Sequence, residues 1–350
     1  MQDEANPSVL LEGDGIASVC VARLLTDAGV DCLWQPNPRP KLSAILLGEQ
    51  TQHLLRELFP TTQNNPSDLF HGFVQVRRRV VLWGDAPEAL ELPHSGVVAP
   101  EGELLQRLWQ RVPPIRTFHK ESPYEQFSWS VQTSRTDASS RLEQNCGNRE
   151  ANFAMVELLP GIAQDACWVE SVAHGWLFLL ALGGGKATLI AVGDAPQPLL
   201  LSSRLVAQQI NSILEHRASV PAYPRLTDIL ASTDRITCGS AAMSFDPLCG
   251  EGAGNAVREA FIAAAVIRAS LLGQPREQLA DHYTDRLKRG FLRHLQICLQ
   301  FYSTGGESTF WKAEAASLLA GIERLQESVA REPAVQFRLM DRDLVPVQIS

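Results

Sequence analysis

A glycine-rich loop between a short strand and a long alanine-rich helix is the feature that most constrains the fold. Residues 234–269 read DRITCGSAAMSFDPLCGEGAGNAVREAFIAAAVIRA, in which an apolar strand ends near Gly239 and a helix starts near Gly252. Glycines at 250 and 252 let backbone N–H groups approach a ligand without obstruction by a side chain. The positive end of the helix dipole is directed at the same loop and favours an anionic group there.

A second glycine turn lies near the N-terminus, after the apolar residues 9–11. Gly13, Gly15 and Ser18 form a Gly-x-Gly-x-x-Ser pattern, which is followed by apolar residues at helical spacing and by a second apolar run over 30–34. This order predicts a β-α-β unit, in which the start of the helix can bind a phosphate group. Alternatively, the glycine turn only allows the helix to pack on a sheet. The turn by itself does not distinguish phosphate binding from this structural role.

Together the two loops resemble the nucleotide-binding motifs of a flavoprotein group that contains flavin monooxygenases, geranylgeranyl reductases and tryptophan halogenase-like enzymes. In that group a Gly-Asp-Ala-Ala strand end precedes Pro-x-x-Gly-x-Gly and a helix, and here GSAA at 239–242 precedes PLCGEG at 247–252. The resemblance implies FAD as the cofactor. It also implies that FAD is bound by residues of both loops, namely Gly13, Gly15, Ile16, Ala17, Ser18, Gly239, Ser240, Asp246, Pro247, Gly250, Gly252 and Ala253.

Some positions differ from the pattern of that group. Ser240 stands where an aspartate usually bonds the ribityl chain, Gln35 stands where an acid usually binds the ribose, and Glu101 stands where a basic residue contacts the FAD phosphates. Asp14 adds a negative charge to the first turn. These substitutions favour an accessory protein of the same fold without catalysis, whereas the intact Pro-x-x-Gly-x-Gly loop favours an enzyme.

The resemblance and the pattern of apolar residues predict a mixed α/β fold. We expect a Rossmann-like FAD-binding domain of the glutathione reductase type, an inserted antiparallel β-sheet domain for the substrate, and a helical C-terminal region. The FAD-binding domain is expected to comprise residues 1–60, 95–125 and 202–272. The β-sheet domain comprises 61–94 and 126–201, and the C-terminal region comprises 273–350. The pattern also predicts an antiparallel hairpin over 72–83 and 89–99, a β-meander over 128–192 and a helix over 202–216.

The resemblance implies an FAD-dependent oxidoreductase, in the first place a monooxygenase that uses reduced flavin and O2 on an aromatic or bulky substrate. That substrate is a small molecule or a peptide side chain, and NAD(P)H or a separate flavin reductase supplies the electrons, since no second nucleotide motif is evident. A flavin-dependent halogenase is the alternative enzyme. The Trp-x-Trp-x-Ile-Pro motif of halogenases is absent, however, and the surroundings of Lys41 do not mark it as their lysine.

The sequence does not single out a catalytic acid or base. His71, His94 and His174 lie in or beside predicted strands and are candidates, although a structural or surface role is the commoner one for such a histidine. Aromatic side chains on predicted strands either line a substrate pocket or belong to the core. They are Trp83, Trp129, Trp168, Trp176 and Phe178.

Composition excludes several other classes. The 350 residues include 31 Lys and Arg against 39 Asp and Glu, a formal net charge of −8, so we expect no nucleic-acid partner. No uncharged run is long enough for a membrane-spanning helix, and the N-terminus lacks the features of a signal peptide. The seven cysteines include no Cys-x-x-Cys pair. We therefore expect no metal site, and free thiols in the cytoplasm.

Overall fold

A parallel sheet forms one layer of the structure, a computed structural model that describes residues 8–63, 66–118, 127–136, 143–330 and 337–347. Its strands are β1 (Ser8–Glu12), β2 (Asp31–Gln35), β6 (Arg116–Thr117), β7 (Trp129–Gln132) and β15 (Arg235–Thr237). They lie in the order β6-β2-β1-β7-β15, the 3-2-1-4-5 order of a dinucleotide-binding fold. Val9 and Leu11 of β1 are fully buried, and the predicted β-α-β unit is confirmed.

Helices pack on both sheets of the described structure and continue into the C-terminal region. They are α1 (Ile16–Asp27), α2 (Glu49–Leu58), α3 (Glu101–Trp109), α4 (Pro196–Leu201), α5 (Gly252–Leu271), α6 (Arg276–Tyr302) and α7 (Thr309–Ala330). Helix α5 packs against α1, α2 and α6. Its approach to α2 depends on Gly254, where a Cβ atom would lie 2.5 Å from Oγ1 of Thr51.

A large mixed sheet forms the second layer. Its strands are β3 (Ile45–Gly48), β4 (Val74–Leu82), β5 (Leu90–Ala99), β9 (Glu150–Leu158), β10 (Ala166–Val172), β11 (Gly175–Gly183), β12 (Lys186–Gly193) and β13 (Ile210–Pro221). The order is β13-β9-β12-β11-β10-β4-β5-β3. Strands β10 and β4 pair in parallel and the other neighbours are antiparallel, which confirms the predicted hairpin and its continuation by the meander.

The two faces of the large sheet contact different cores, because successive side chains of a strand point to opposite faces. On β11, Trp176 and Phe178 belong to the main core that also contains α1 and α5. Leu177 and Leu179, which alternate with them, belong to a second core beneath α4. The face that carries Phe178 is therefore the one turned toward the glycine loops.

Short strands complete the described fold. They are β8 (Glu143–Asn145), β14 (Arg225–Thr227) and β16 (Met243–Ser244), which pair with one another, and the hairpin β17 (Phe337–Met340) and β18 (Asp343–Pro346). The hairpin packs on α5. Within the described ranges, no helix combines the length and the apolar character that crossing a bilayer requires.

Two expectations about local structure are wrong. The predicted helix over 202–216 is a loop followed by β13, because the open edge of β9 provides backbone partners along residues 210–221, with three shifts of register. Strand β7 joins the parallel sheet instead of the meander, since Trp129 and Val131 pair with β1 and are fully buried there.

Strands β3 and β13, placed by the sequence in the nucleotide-binding segments, belong to the large sheet. The division into domains stays a prediction.

Candidate functional site

The first glycine turn connects β1 to α1 and brings the helix start to the edge of the parallel sheet. Gly13 has a φ of +126°, and a Cβ atom there would overlap Oγ1 of Thr133 and lie 2.6 Å from Oγ of Ser134. Its N–H donates to the carbonyl oxygen of Gln35 at 2.9 Å. Only glycine fits this position, and Gly13 therefore fixes the turn against β2 and the loop after β7.

Positively charged side chains compensate the acidic residues near this turn. Nζ of Lys41 lies 2.7 Å from Oδ2 of Asp14. The guanidinium of Arg39 forms a paired ion contact with the carboxylate of Glu101, which is only 4% exposed. Arg39 also lies beside Gly15, where a Cβ atom would be 3.9 Å from its Nη2. A cationic group thus stands at the turn, although it comes from a different position than the resemblance implies.

The second glycine motif meets the first at Gly239. This residue has a φ of +59°, and a Cβ atom there would lie 2.7 Å from Cβ of Ala17. Glycine at 239 is therefore what lets the end of β15 approach the start of α1. Ser240 is exposed and its hydroxyl donates to the carbonyl oxygen of Thr133 at 3.2 Å.

The loop before α5 is shaped by one carboxylate and by one left-handed residue. Oδ1 of Asp246 accepts the N–H of Leu248 at 2.8 Å and so caps a turn over Pro247–Cys249. Gly250 follows with a φ of +64°, which reverses the chain into α5. A Cβ atom at Gly252 would meet no atom within 4 Å. The start of α5 consequently faces open space.

Both glycine motifs line one cleft with a volume of about 340 Å³. Ten of the twelve residues that the resemblance assigns to the cofactor lie along it: Gly15, Ile16, Ala17, Gly239, Ser240, Asp246, Pro247, Gly250, Gly252 and Ala253. Gly13 and Ser18 are not among the lining residues. They stand behind the cleft, where both contact Thr133. Two loops far apart in sequence thus form one continuous surface.

The opposite wall of the cleft is apolar and comes from the large sheet. Phe153 of β9, Phe178 and Leu180 of β11 and Ile190 of β12 point into it. Of the five aromatic residues considered from the sequence, Phe178 is the one that lines a described cavity. The other four pack elsewhere: Trp83 against Trp311, Trp129 beside Ser270, Trp168 in the second core and Trp176 beside Tyr302.

A second cavity of about 360 Å³ adjoins the cleft and shares Leu46 and Gly250 with it. Its lining includes Arg79, His94 and Arg258. Desolvation, with the nearby charge of Arg79, lowers the pKa of His94, and Nε2 of His94 is buried without a hydrogen-bond partner among the described residues. His71 and His174 are exposed and line neither cavity.

A buried carboxyl group lies on the helix that begins at the cleft. Oε2 of Glu259 accepts the N–H of Gly239 at 2.6 Å, and the residue is 5% exposed. Burial raises the pKa of Glu259 to about 8, while the Gly239 hydrogen bond and the charge of Arg258 oppose that change. Glu259 is therefore mainly neutral at pH 7 and accepts the Gly239 hydrogen bond without a full charge.

A buried ionic network holds the loop before α5 in place. Nε and Nη2 of Arg149 donate to Oδ2 of Asp246 at 2.9 and 2.6 Å, and Nη1 donates to the carboxylate of Glu314 on α7. Tyr302 also donates to Oδ2 of Asp246, at 2.9 Å. The side chain of Arg149 is completely inaccessible. The C-terminal helices thereby fix the position of the loop that lines the cleft.

Sequence reasoning missed this network and a neighbouring cluster. Nothing local in the sequence marks Arg149 or Glu314. His294 and Cys298, by contrast, are four residues apart on α6 and so share one helix face, a signal that was overlooked. In the structure they meet Cys249, and the three potential metal-ligand atoms lie within 4.8 Å of one another. The expectation of no metal site stays a prediction.

Comparison with known proteins assigns the fold to a class. No protein-family profile matches the chain, and no curated protein sequence does. Among solved structures, however, the chain has the fold of the flavin-dependent halogenases and of a related flavoprotein hydroxylase. The predicted mixed α/β fold with a Rossmann-like part is confirmed.

Three particular structures show the extent of the likeness. The flavin-dependent halogenase CmlS has a TM-score of 0.72 at 17% identity, over 94% of this chain and 72% of that one. The peptidyl tryptophan dihydroxylase QhpG, described as essential for tryptophylquinone cofactor biogenesis, has a TM-score of 0.73 at 18% identity, over 98% and 86%. The myxobacterial chondrochloren halogenase CndH has 0.68 at 17%, over 94% and 92%.

Proposed function

We propose that this chain is an FAD-dependent oxidoreductase, and that it acts as a monooxygenase on an aromatic or otherwise bulky substrate. The observation that carries the proposal is the single cleft lined by both glycine motifs. A purely structural role for either motif would not require the two loops to share an open surface. The fold shared with flavin-dependent enzymes supports the same assignment.

Two features of the cleft suit FAD, one at each glycine loop. The pyrophosphate would lie at the N-terminus of α1, where free N–H groups and the guanidinium of Arg39 favour an anion. The ring would lie along 247–253, where Gly252 leaves open space that a side chain would fill. When bound and reduced, FAD would supply the activation of O2. The positive end of α5 favours negative charge at this end of the cleft.

The apolar wall sets the class of substrate. Phe153, Phe178 and Ile190 offer a desolvated surface opposite the glycine loops, which suits an aromatic ring better than a polar metabolite. The likeness to a peptidyl tryptophan dihydroxylase favours an aromatic side chain of a peptide over a free small molecule. We assign electron supply to NAD(P)H or to a separate flavin reductase.

Hydroxylation fits this chain better than halogenation. Among the described residues that line the cleft there is no lysine, and Lys41 is engaged by Asp14 at the first turn. The third possibility, an accessory protein of the same fold without catalysis, loses support because Arg39 neutralises the negative charge of Glu101 beside the first turn. We also place the protein in the cytoplasm, where its cysteines, all free thiols, stay reduced.

Flavin retention tests the cofactor assignment. The purified protein, reconstituted with FAD, should show the visible absorbance of oxidised flavin after desalting. Gly252→Val should abolish this absorbance, because the branched side chain would occupy the space assigned to the ring. Gly290→Val is the matched control, since Gly290 is also helical and a Cβ atom there meets nothing within 4 Å. Equal flavin retention by both variants would overturn the placement.

Product analysis tests the reaction. With reduced FAD, O2 and bromide present together, a tryptophan-containing peptide should gain oxygen atoms in its mass spectrum. Exchange of hydrogen for bromine would instead establish the halogenase alternative. Absence of flavin binding in the unaltered protein under all reconstitution conditions would rule out the FAD-dependent oxidoreductase and favour the accessory role.

A further inference from the structure

Two cysteines and a histidine lie together next to the cleft, and the proposed function does not use them. Sγ of Cys249 is 3.7 Å from Sγ of Cys298, and Sγ of Cys298 is 3.3 Å from Nε2 of His294. Cys249 ends the turn that Asp246 caps. His294 and Cys298 lie one turn apart on α6, which packs against that turn.

The hydrogen bonding of His294 defines its protonation state. The backbone N–H of Asp246 donates to Nε2 of His294 at 3.0 Å. A backbone amide is always a donor, so Nε2 carries a lone pair and no proton. Sγ of Cys298 lies 3.3 Å from the same nitrogen. Because the Asp246 amide already occupies the single lone pair of Nε2, His294 neither takes up the Cys298 proton nor binds a metal ion while that hydrogen bond is kept.

The two thiols differ in exposure and in acidity. Cys249 is partly exposed and lines the second cavity, whereas Cys298 is completely buried. The hydrogen bond from Cys298, assisted by His294, lowers the pKa of the Cys249 thiol. The pKa of Cys298 is raised, chiefly by its interaction with Cys249 and by burial. An accessible thiolate beside a buried thiol is the arrangement of an attacking and a resolving cysteine.

We propose that Cys249 and Cys298 form a redox-active dithiol that hydrogen peroxide or another hydroperoxide converts into a disulfide. This inference does not depend on the proposed function, because neither thiol nor the histidine needs a bound flavin. The sulfur atoms must approach from 3.7 Å to about 2.05 Å. Side-chain rotation in a turn and in the adjoining helix face can provide that movement.

The reaction balances in two steps. The Cys249 thiolate attacks one oxygen of hydrogen peroxide, so that an S–O bond forms, the O–O bond breaks and hydroxide leaves to be protonated to water. Cys298 then attacks the sulfur of Cys249, so that the S–S bond forms and the S–O bond breaks. The proton of the Cys298 thiol passes to the departing hydroxide, which leaves as water. The two thiols lose two electrons and the peroxide gains them.

The disulfide would have a structural consequence at the cleft. It would tie the turn over Pro247–Cys249 covalently to α6, beside the hydrogen bonds that join Asp246 to His294 and Tyr302 of that helix. Oxidation would therefore change the loop that lines the end of the cleft.

Thiol counting and peptide mapping on flavin-free protein test the proposal. After brief treatment with hydrogen peroxide, the unfolded protein should show two fewer free thiols than the seven of the untreated chain. A peptide pair linked through Cys249 and Cys298 should appear and should disappear with dithiothreitol. In Cys298→Ser, dimedone should label Cys249 as a sulfenic acid, while Cys32→Ser should behave as the unaltered protein.

Other outcomes would overturn the proposal. A disulfide between other cysteines, or dimedone labelling of Cys249 that is equal in the unaltered protein and in Cys298→Ser, would show that Cys298 does not resolve Cys249. Native mass spectrometry after incubation with zinc tests whether the cluster binds a metal ion. One zinc ion retained by the unaltered protein, lost in Cys298→Ser and protective against peroxide, would make the cluster a metal site instead.

Discussion

Replacing Glu259 by glutamine isolates the effect of one buried ionisable group at the cleft. Glu259 is 5% exposed and accepts the Gly239 N–H at 2.6 Å. A glutamine side chain has nearly the same shape, and its carbonyl oxygen can accept the same hydrogen bond. The variant therefore differs from the natural protein mainly in its inability to ionise.

The magnitude follows from the displacement of the pKa. Burial raises the pKa of Glu259 from 4.5 to about 8. Between these values the folded protein keeps a proton that the unfolded chain releases, so the free energy of unfolding falls as the pH rises. The slope is about 1.4 kcal/mol per pH unit, which gives about 5 kcal/mol over the interval. This contribution is fully present below pH 4.5 and is lost as the pH rises through about 8.

Urea unfolding at several values between about pH 5 and pH 8 measures this slope. We expect the free energy of unfolding of the natural protein, minus that of Glu259→Gln, to decrease by about 1.4 kcal/mol per pH unit. Glu323→Gln, a change at an exposed carboxyl on α7, is the control for the effect of removing a carboxyl group that is not buried. Parallel pH profiles for the natural protein and Glu259→Gln would show that Glu259 is already ionised in the fold, and would refute the reasoning.

Three further changes test the packing around the cleft. Arg149→Met leaves two buried carboxylates without their partner, so the free energy of unfolding should fall by about 3–5 kcal/mol; a loss below 1 kcal/mol, on the order of a surface ion pair, would contradict a buried network. Gly175→Ala places a Cβ atom against the carbonyl oxygen of Val192 at a φ of +152°, and urea unfolding should show a loss of more than about 1 kcal/mol. Tyr283→Phe removes the donor to the Thr237 carbonyl at 2.7 Å and should cost about 1–3 kcal/mol; no change in the unfolding midpoint would mean that this carbonyl finds another donor.

Elements with a strong local signal could be predicted from the sequence. The β-α-β unit and the hairpin over 74–82 and 90–99 occur close to their expected limits, the long helix starts at Gly252 as expected, and α6 and α7 make the C-terminal region largely helical. In each of them, apolar spacing and glycine or proline boundaries agree with the tertiary environment. In these segments the local conformational preference agrees with the final structure, so the sequence is sufficient to predict the element.

Segments whose structure depends on a distant partner could not be predicted. The residues over 202–216 are predicted to form a helix, yet those from 210 onward pair with β9, because the unpaired backbone groups at the edge of that strand are satisfied by a further strand. The short strand at Trp129–Gln132 has too few residues to show which sheet it joins. Its place between β1 and β15 is decided by pairing on both sides.

The two glycine loops can be recognised in the sequence, because the left-handed positions of Gly13, Gly239 and Gly250 accept little else than glycine. Only the folded chain shows that the loops share one cleft, that Arg39 neutralises Glu101, and that Arg149 fixes the loop at Asp246. It also shows the meeting of Cys249 with Cys298. Charges and thiols interact over a few ångströms in space. The number of residues between two positions in the sequence does not show whether they lie that close in the fold.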